Sequence, residues 1–147
     1  MTGSDVLANL RLNFSWRRRP PLVLQSEAAE CGLACLAMVA AYYGYRTDLA
    51  TLRQRFSLSL KGATLRHLID MAAQLEMAAR PLRLEVEELA QLRMPCVLHW
   101  GLNHFVVLVR VSARGIEILD PARGVRHVAW PEVSREFTGI ALELTPT

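Results

Sequence analysis

The chain has 147 residues, of which 52% are hydrophobic and 21% are charged, and its net charge is +3. This profile excludes a disordered chain, and the length suits one domain that buries a core without disulfides or a metal. Three cysteines are too few for a secreted disulfide scaffold, and the mild positive charge gives no reason to expect a nucleic-acid partner. The sequence has neither a signal-peptide pattern nor an apolar run long enough to cross a bilayer, which predicts a reducing, cytosolic environment.

Residues 1–20 are predicted to form an N-terminal arm, and residues 21–147 the folded domain. The arm mixes Gly, Ser, Asn and Arg and ends at Pro20 and Pro21, which disfavour a helix before them.

The first half of the domain is predicted to be helical. Residues 31–43 are apolar on nearly every side, which is typical of a helix in the middle of a fold, and Gly44 suits the position after its end. A second helix is predicted with Thr47 as its cap and a third with Thr64 as its cap, with Pro81 just beyond the third.

The second half is rich in β-forming residues. Strands are predicted at 96–98, 105–111, 116–119, 124–129 and 140–144, with a helical turn at 86–92 and a short helix at 131–137. Because helices come first and antiparallel strands later, the pattern predicts an α+β fold of two layers.

Cys31 is the first candidate for chemistry, because it opens the buried helix. The partial positive charge of a helix N-terminus favours the thiolate, which is the nucleophilic form, and Gly32 is expected to leave the approach to the sulfur open. Gln25 lies six residues earlier and can supply a second oxyanion donor beside a helix N–H group. The alternative is that Cys31 is a small buried hydrophobe, as Cys35 in the same helix is expected to be.

His104 and Asp120 are predicted to meet in space. His104 opens an apolar strand after a turn, where a general base can face a cleft, and Asp120 ends the return strand of the same hairpin. A carboxylate at this place can orient an imidazole and stabilise its charged form. His99 is the rival base, each histidine taken alone can be structural, and Asn103 is expected to be a turn residue.

A zinc site made of Cys31, Cys35, Cys96 and a histidine is the main metal alternative, but the sequence lacks the paired spacing of zinc ligands. No glycine-rich phosphate loop and no G-x-S-x-G motif are present. The prediction is therefore that the domain holds no metal.

Three segments taken together resemble the C39 peptidase domain of bacterial ABC transporters that export colicin V-type and microcin-type peptides. The matching residues are Gln25 ahead of Glu30-Cys31-Gly32-Leu33-Ala34-Cys35, then His104-Phe105-Val106-Val107, then Asp120-Pro121. The similarity extends over about residues 22 to 144. Glu30 stands where the family often has Asp.

The resemblance implies a papain-like fold, with N-terminal helices packed on a C-terminal antiparallel sheet. It implies that Cys31 is the nucleophile, His104 the general base and acid, Asp120 the orienting carboxylate and Gln25 the oxyanion donor. The implied reaction is hydrolysis of a leader peptide after a Gly-Gly pair, or a Gly-Ala or Gly-Ser pair, in a narrow cleft of which Trp100 is expected to form one wall.

The implied partners are the leader of an exported bacteriocin, microcin or signalling peptide, and the transmembrane and ATPase domains of the same transporter. The leader is expected to bind as an amphipathic helix in an apolar groove. The implied location is the cytoplasmic face of the bacterial inner membrane, in a dimeric transporter whose isolated N-terminal domain is compatible with a monomer. No cofactor is expected in this domain, and ATP is implied only for the ATPase domain.

Two other functions fit the same sequence. The first is a non-catalytic docking module that binds an exported polypeptide, and the second is a papain-fold acyl transferase with a different acceptor. The reactivity of the Cys31 thiol distinguishes the docking module, and the mass of the products distinguishes the acyl transferase.

Overall fold

The computed structural model describes residues 19–57 and 62–147. Most of the predicted arm, residues 1–18, lies outside the described residues, so its boundary near residue 20 stays a prediction. At the start of the described chain, the Arg19 guanidinium donates a hydrogen bond of 2.6 Å to the Glu117 carboxylate on the sheet.

The helices lie mainly in the first half of the chain, as predicted. The described residues contain α1 (Cys31–Tyr42), α2 (Leu49–Arg55), α3 (Leu65–Gln74) and α4 (Trp130–Glu136), with short 3₁₀ helices at Ala28–Glu30 and Val86–Gln91. Gly44 follows α1 with a φ of +94°, a left-handed conformation that suits glycine after a helix end.

The predicted cap of α3 is confirmed, and that of α2 is wrong. The Thr64 hydroxyl accepts a hydrogen bond from the backbone N–H of His67 at the start of α3. Asp48, and not Thr47, caps α2, because its carboxylate accepts from the backbone N–H of Thr51 at 2.7 Å. Asp ranks above Thr as an N-cap, and Asp48 has the spacing of three residues that this bond requires.

Six strands form one antiparallel sheet. They are β1 (Met77–Arg83), β2 (Cys96–Trp100), β3 (His104–Val111), β4 (Gly115–Asp120), β5 (Gly124–Ala129) and β6 (Phe137–Pro146), in the order β1-β6-β2-β3-β4-β5. Strand β1 was not predicted, since Pro81 was assigned only to the end of a helix. Pro81 is tolerated because β1 is an edge strand that pairs on one side alone.

Both faces of the sheet are covered. On one face, α1 packs with α2 and α3 over Phe105 and Val107 of β3. On the other face, Val106 and Leu108 pack with Val133 of α4. The alternation of β3 between the two clusters follows from the two-residue period of a strand. The α+β class is confirmed. Because α4 covers the second face of the sheet, the fold has three layers and not the two that were predicted. Within the described part of the chain, no helix has the length and apolarity to span a bilayer.

Candidate active site

Cys31 is the first residue of α1, directly after the 3₁₀ helix Ala28–Glu30. The helix is buried because its residues are apolar on every side, and this fixes its first residue against the sheet. Cys31 is only 6% exposed. Its thiol interacts with the imidazole of His104 and helps to raise the pKa of that ring, so the first and second predicted segments meet at this thiol.

His104 is placed by the turn that joins β2 to β3. Gly101 has a φ of +55° and Asn103 a φ of +59°, and both residues are well suited to the left-handed region. Asn103 is therefore a turn residue, as predicted. His104 Nε2 lies 2.7 Å from Asp120 Oδ1, which confirms that the two side chains meet. Because Nε2 is engaged by the carboxylate, Nδ1 is the ring nitrogen left for Cys31.

The charge of His104 is stabilised at this place. The hydrogen bond to Asp120, followed by the hydrogen bond to Cys31, raises the pKa of His104 from 6.5 to about 9, and outweighs the opposing effect of burial. At neutral pH the ring is therefore largely imidazolium. An imidazolium beside a thiol stabilises the thiolate, which is the form needed for nucleophilic attack.

Asp120 is buried and fully engaged. Burial alone would raise its pKa, but the hydrogen bonds from His104 and from the backbone N–H of Ala122, together with the charge of Arg126, hold the pKa below its ordinary value. The Ala122 N–H lies 2.9 Å from Oδ1, and Arg126 Nη1 lies 3.6 Å from Oδ2. Arg126 was not singled out from the sequence. The signal for it was its place on β5, the strand that pairs with the strand ending in Asp120.

Gln25 lies six residues before Cys31 in the sequence. Its backbone is hydrogen-bonded to the turn that follows Asp120. Its backbone N–H donates to the carbonyl oxygen of Pro121 at 2.9 Å. Its side-chain Oε1 is buried and has no hydrogen-bond partner among the described residues. A buried amide with an unused hydrogen-bonding atom is rare in native proteins and is compatible with a ligand-binding role. The oxyanion role of Gln25 stays a prediction.

Gly32 has a packing role in addition to the one expected. A Cβ atom at this position would lie 2.8 Å from Leu68 Cδ2, on α3, and 3.5 Å from Ala63 Cβ. The absence of a side chain therefore allows α1 and α3 to pack closely. The expectation that Gly32 leaves the approach to the sulfur open stays a prediction.

His99 and Trp100 lie on β2, next to the turn that carries His104. His99 Nδ1 lies 2.8 Å from Thr138 Oγ1 and its ring packs against Phe105, so His99 is engaged away from the Cys31 thiol. Trp100 is 4% exposed and packs in the cluster on the sheet face opposite α1. Its role as a wall of the cleft stays a prediction, and it requires contact through the small exposed part of the ring.

The three cysteines do not converge. Cys35 is a residue of α1 and packs in the core on that face of the sheet, whereas Cys96 packs on the opposite face, and burial raises the pKa of both thiols. Within residues 19–57 and 62–147, no group of three or more histidine, cysteine or acidic side chains is arranged to hold a metal ion.

A cleft of about 510 Å³ adjoins the site. Its walls combine apolar and polar side chains: Ala63, Leu65, Phe105 and Ile140 on the one hand, and Thr64, His67, His99 and Asn103, the neighbour of His104, on the other. Sequence reasoning did not find this cleft, because its walls come from segments that are far apart in the chain.

The sequence profile of the Peptidase C39 family matches residues 19–147. The chain belongs to this family. The papain-like fold implied by the resemblance is confirmed, because the similar solved structures are C39 peptidase domains with that fold.

Two curated relatives come from Escherichia coli. The chain is 51% identical over 135 residues to the colicin V secretion/processing ATP-binding protein CvaB, and 52% identical over 136 residues to the probable microcin-H47 secretion/processing ATP-binding protein MchF. Each alignment covers 92% of this chain, but only 19% of CvaB and 20% of MchF. The chain thus spans about a fifth of the length of these relatives.

Two solved structures superpose closely. A double glycine motif protease from an AMS/PCAT transporter, solved in complex with its leader peptide, has a TM-score of 0.82 and 38% identity, and covers 89% of this chain and 96% of its own. The peptidase domain of Streptococcus ComA, a bifunctional ABC transporter of a quorum-sensing pathway, has a TM-score of 0.81 and 26% identity, and covers 89% of this chain and all of its own (100%).

Proposed function

We propose that this chain is a cysteine endopeptidase that removes a double-glycine leader from the precursor of a bacteriocin, microcin or signalling peptide. The observation that carries the proposal is the placement of Cys31 at the start of α1 beside His104, whose Nε2 lies 2.7 Å from Asp120 Oδ1. The similarity to a double glycine motif protease bound to its leader peptide supports the choice of substrate.

In the proposed reaction, the thiol proton already resides on His104 Nδ1, and the Cys31 thiolate attacks the carbonyl carbon of the second glycine. The oxyanion that forms accepts a hydrogen bond from the Gln25 amide. The imidazolium then protonates the leaving amine, the C–N bond breaks, and a thioester remains on Cys31. Water, deprotonated by His104, attacks the thioester and releases the leader acid. Asp120 keeps the ring oriented throughout.

The low exposure of the thiol supports the preference for glycine. Cys31 is 6% exposed, so a scissile segment without side chains reaches the sulfur more readily than a bulky one. The apolar part of the cleft beside His104, formed by Ala63, Leu65, Phe105 and Ile140, has the chemistry to take apolar side chains of the leader upstream of the glycines.

We also propose that the domain works as the N-terminal part of an ABC transporter at the cytoplasmic face of a bacterial inner membrane. The names of CvaB and MchF, which describe secretion/processing ATP-binding proteins, support this setting. Transmembrane and ATPase domains of the same protein would be the partners in a dimeric assembly. ATP would be used by the ATPase domain, and the chemistry at Cys31 needs no cofactor.

The test is to incubate the purified domain with synthetic double-glycine leader peptides that continue a few residues past the glycines, and to weigh the products. The proposal expects cleavage after the second glycine, no cleavage by Cys31→Ala with leader binding retained, and normal cleavage by Cys35→Ala. Cys35 is a matched control because it lies in the same helix but is buried in the core.

Other results would replace the proposal. Binding without cleavage across several leaders would indicate a docking module. A product joined to an added amine, in place of the free acid, would indicate an acyl transferase. Full activity of Cys31→Ala would exclude Cys31 as the nucleophile.

A further inference from the structure

Glu30 is a buried carboxylate immediately before Cys31, and it is 5% exposed. Its Oε1 accepts hydrogen bonds from the backbone N–H of Ser26 at 3.2 Å and of Glu27 at 3.1 Å. Its Oε2 accepts from Arg53 Nε on α2. The hydrogen bond from Arg53 is the main cause that holds the pKa of Glu30 below its ordinary value. A charge is seldom buried unless it is fully paired, so this carboxylate has a definite structural task.

The bonds of Glu30 close the loop that carries Gln25. The carboxylate at the end of the loop reaches back to the N–H groups of Ser26 and Glu27, which directly follow Gln25 in the chain. On the other side, the N–H of Gln25 donates to Pro121. The Gln25 backbone is therefore held between the turn after Asp120 and the residue that precedes Cys31.

Arg53 fixes the second oxygen of this carboxylate. Its side chain is 47% exposed while that of Glu30 is 6% exposed, so Arg53 covers the carboxylate from the solvent side. Because Arg53 is on α2, it also links the loop to the helical layer. Without it, the carboxylate would be free to rotate, and its bonds to the loop N–H groups would weaken.

We propose that Glu30 and Arg53 are positioning residues that hold the Gln25 amide at its working distance from Cys31. They act on the oxyanion side of the site through the loop of residues 25–30, in which Glu30 bonds to the N–H groups of Ser26 and Glu27. The inference rests on the proposed function, because it concerns the tetrahedral adduct that Cys31 forms. In this view the site has two positioning arrangements: Asp120 orients His104, and Glu30 with Arg53 positions Gln25.

A double-mutant cycle tests the coupling between Glu30 and Gln25. Gln25→Ala is expected to lower kcat by about 100-fold, as the loss of an oxyanion donor does. Glu30→Gln keeps the shape and one acceptor oxygen, and is expected to lower kcat by about tenfold with KM changed less than about twofold. In the Gln25→Ala background, Glu30→Gln is expected to have almost no further effect, since its route of action is gone.

Arg53 supplies an independent variant at a partly exposed position. Arg53→Gln is expected to behave like Glu30→Gln, and Arg53→Lys to recover part of kcat because it keeps the charge. Arg80→Gln is the matched control, since Arg80 forms a comparable ion pair with Glu143 at 3.4 Å on the far edge of the sheet. It should leave kcat unchanged.

A peptide aldehyde separates this inference from the proposed function. The Cys31 thiol adds across the carbonyl of acetyl-Gly-glycinal: a C–S bond forms, the C=O π bond becomes a C–O bond, and the thiol proton ends on that oxygen. The oxygen of the adduct occupies the oxyanion position without any hydrolysis. Glu30→Gln and Arg53→Gln are each expected to weaken aldehyde binding about tenfold, and not further when Gln25 is already Ala.

The outcomes are distinct. Leader peptides that are not cleaved, together with coupled losses in aldehyde binding, would reject the proposed function and keep the inference. The inference would be overturned if Glu30→Gln or Arg53→Gln lowered kcat and aldehyde affinity as much in the Gln25→Ala background as in the wild type. It would also be overturned if these variants bound the aldehyde and cleaved the leader like the wild type. A wild-type protein that does not form the aldehyde adduct would overturn it as well. Should Glu30→Gln fail to fold, Arg53→Gln and Arg53→Lys decide the outcome.

Discussion

The backbone N–H of Gln25 lies 2.9 Å from the carbonyl oxygen of Pro121, the residue that follows Asp120. The loop before the candidate nucleophile is thus docked on the turn that carries the candidate orienting carboxylate. Two segments almost a hundred residues apart in sequence share one hydrogen bond. A shift of this turn would therefore move both the His104–Asp120 pair and the Gln25 side of the site.

Iodoacetamide is expected to label the native protein at Cys31 alone. Cys35 and Cys96 are fully buried and burial raises the pKa of both thiols, so neither offers a reachable thiolate. His104→Gln is expected to slow the labelling about tenfold at neutral pH, because the imidazolium no longer stabilises the thiolate. Peptide mapping by mass spectrometry measures the site and the rate. Equal labelling of all three cysteines in the folded protein would contradict this account.

Asp120→Asn is expected to move the alkaline limb of the kcat/KM profile to lower pH. In the wild type this limb should lie near pH 9, where His104 loses its proton. Asp120 is the main cause of that raised pKa, so its neutral replacement should shift the limb by at least about one unit toward 6.5, the ordinary value of histidine. His99→Gln is the control and should leave the limb in place. An unchanged limb in Asp120→Asn would show that the carboxylate does not set the pKa of His104.

The stability of the fold is expected to depend on pH through His104. Its pKa of about 9 in the folded state lies above its ordinary value of 6.5, so the folded state binds the proton more tightly. The stabilisation is complete below about pH 6.5 and is lost as the pH rises through about 9. The full shift corresponds to about 3 kcal/mol, and solvent screening of the partly exposed ring reduces it, so urea unfolding from about pH 6 to about pH 10 should show a loss of about 2 kcal/mol in the wild type that is absent in His104→Gln. Parallel curves for the two proteins would be incompatible with this shift.

Gly32→Ala is expected to destabilise the fold. The new methyl group would meet Leu68 Cδ2 at 2.8 Å, and Leu68 is itself fully buried. Overpacking of this kind costs about 1–3 kcal/mol, which outweighs the gain of up to about 1 kcal/mol from replacing a helical glycine. Denaturant unfolding should show a net loss of about 1 kcal/mol. Leu68→Ala should cost less in the Gly32→Ala background than alone, and full additivity would argue against the contact.

The parts of the structure that sequence reasoning found are those set by local patterns. The buried helix from Cys31 follows from a run of apolar residues, and the meeting of His104 with Asp120 follows from a hairpin whose two strands are neighbours in the chain. The same reasoning identified the Thr64 cap, because a cap is decided within three residues.

The parts that it did not find depend on distant partners. Strand β1 contains Arg80, Pro81 and Arg83, and it is a strand only because β6 pairs with it from more than fifty residues away. The same holds for Arg53 and Arg126, whose roles come from carboxylates on other elements. A charged residue on a surface helix looks the same in sequence whether or not it covers a buried carboxylate.

The position of β6 between β1 and β2 has a consequence for synthesis. Strands β3, β4 and β5 pair with their neighbours in the chain, so the part that brings His104 to Asp120 can form while later residues are still being added. Strand β1, in contrast, has only β6 as its partner, and β6 ends at Pro146. On the ribosome, β1 and one edge of β2 must therefore wait for β6, the last strand of the sheet. A domain interrupted before residue 137 would have the hairpin of β3 and β4 but not the complete six-stranded sheet.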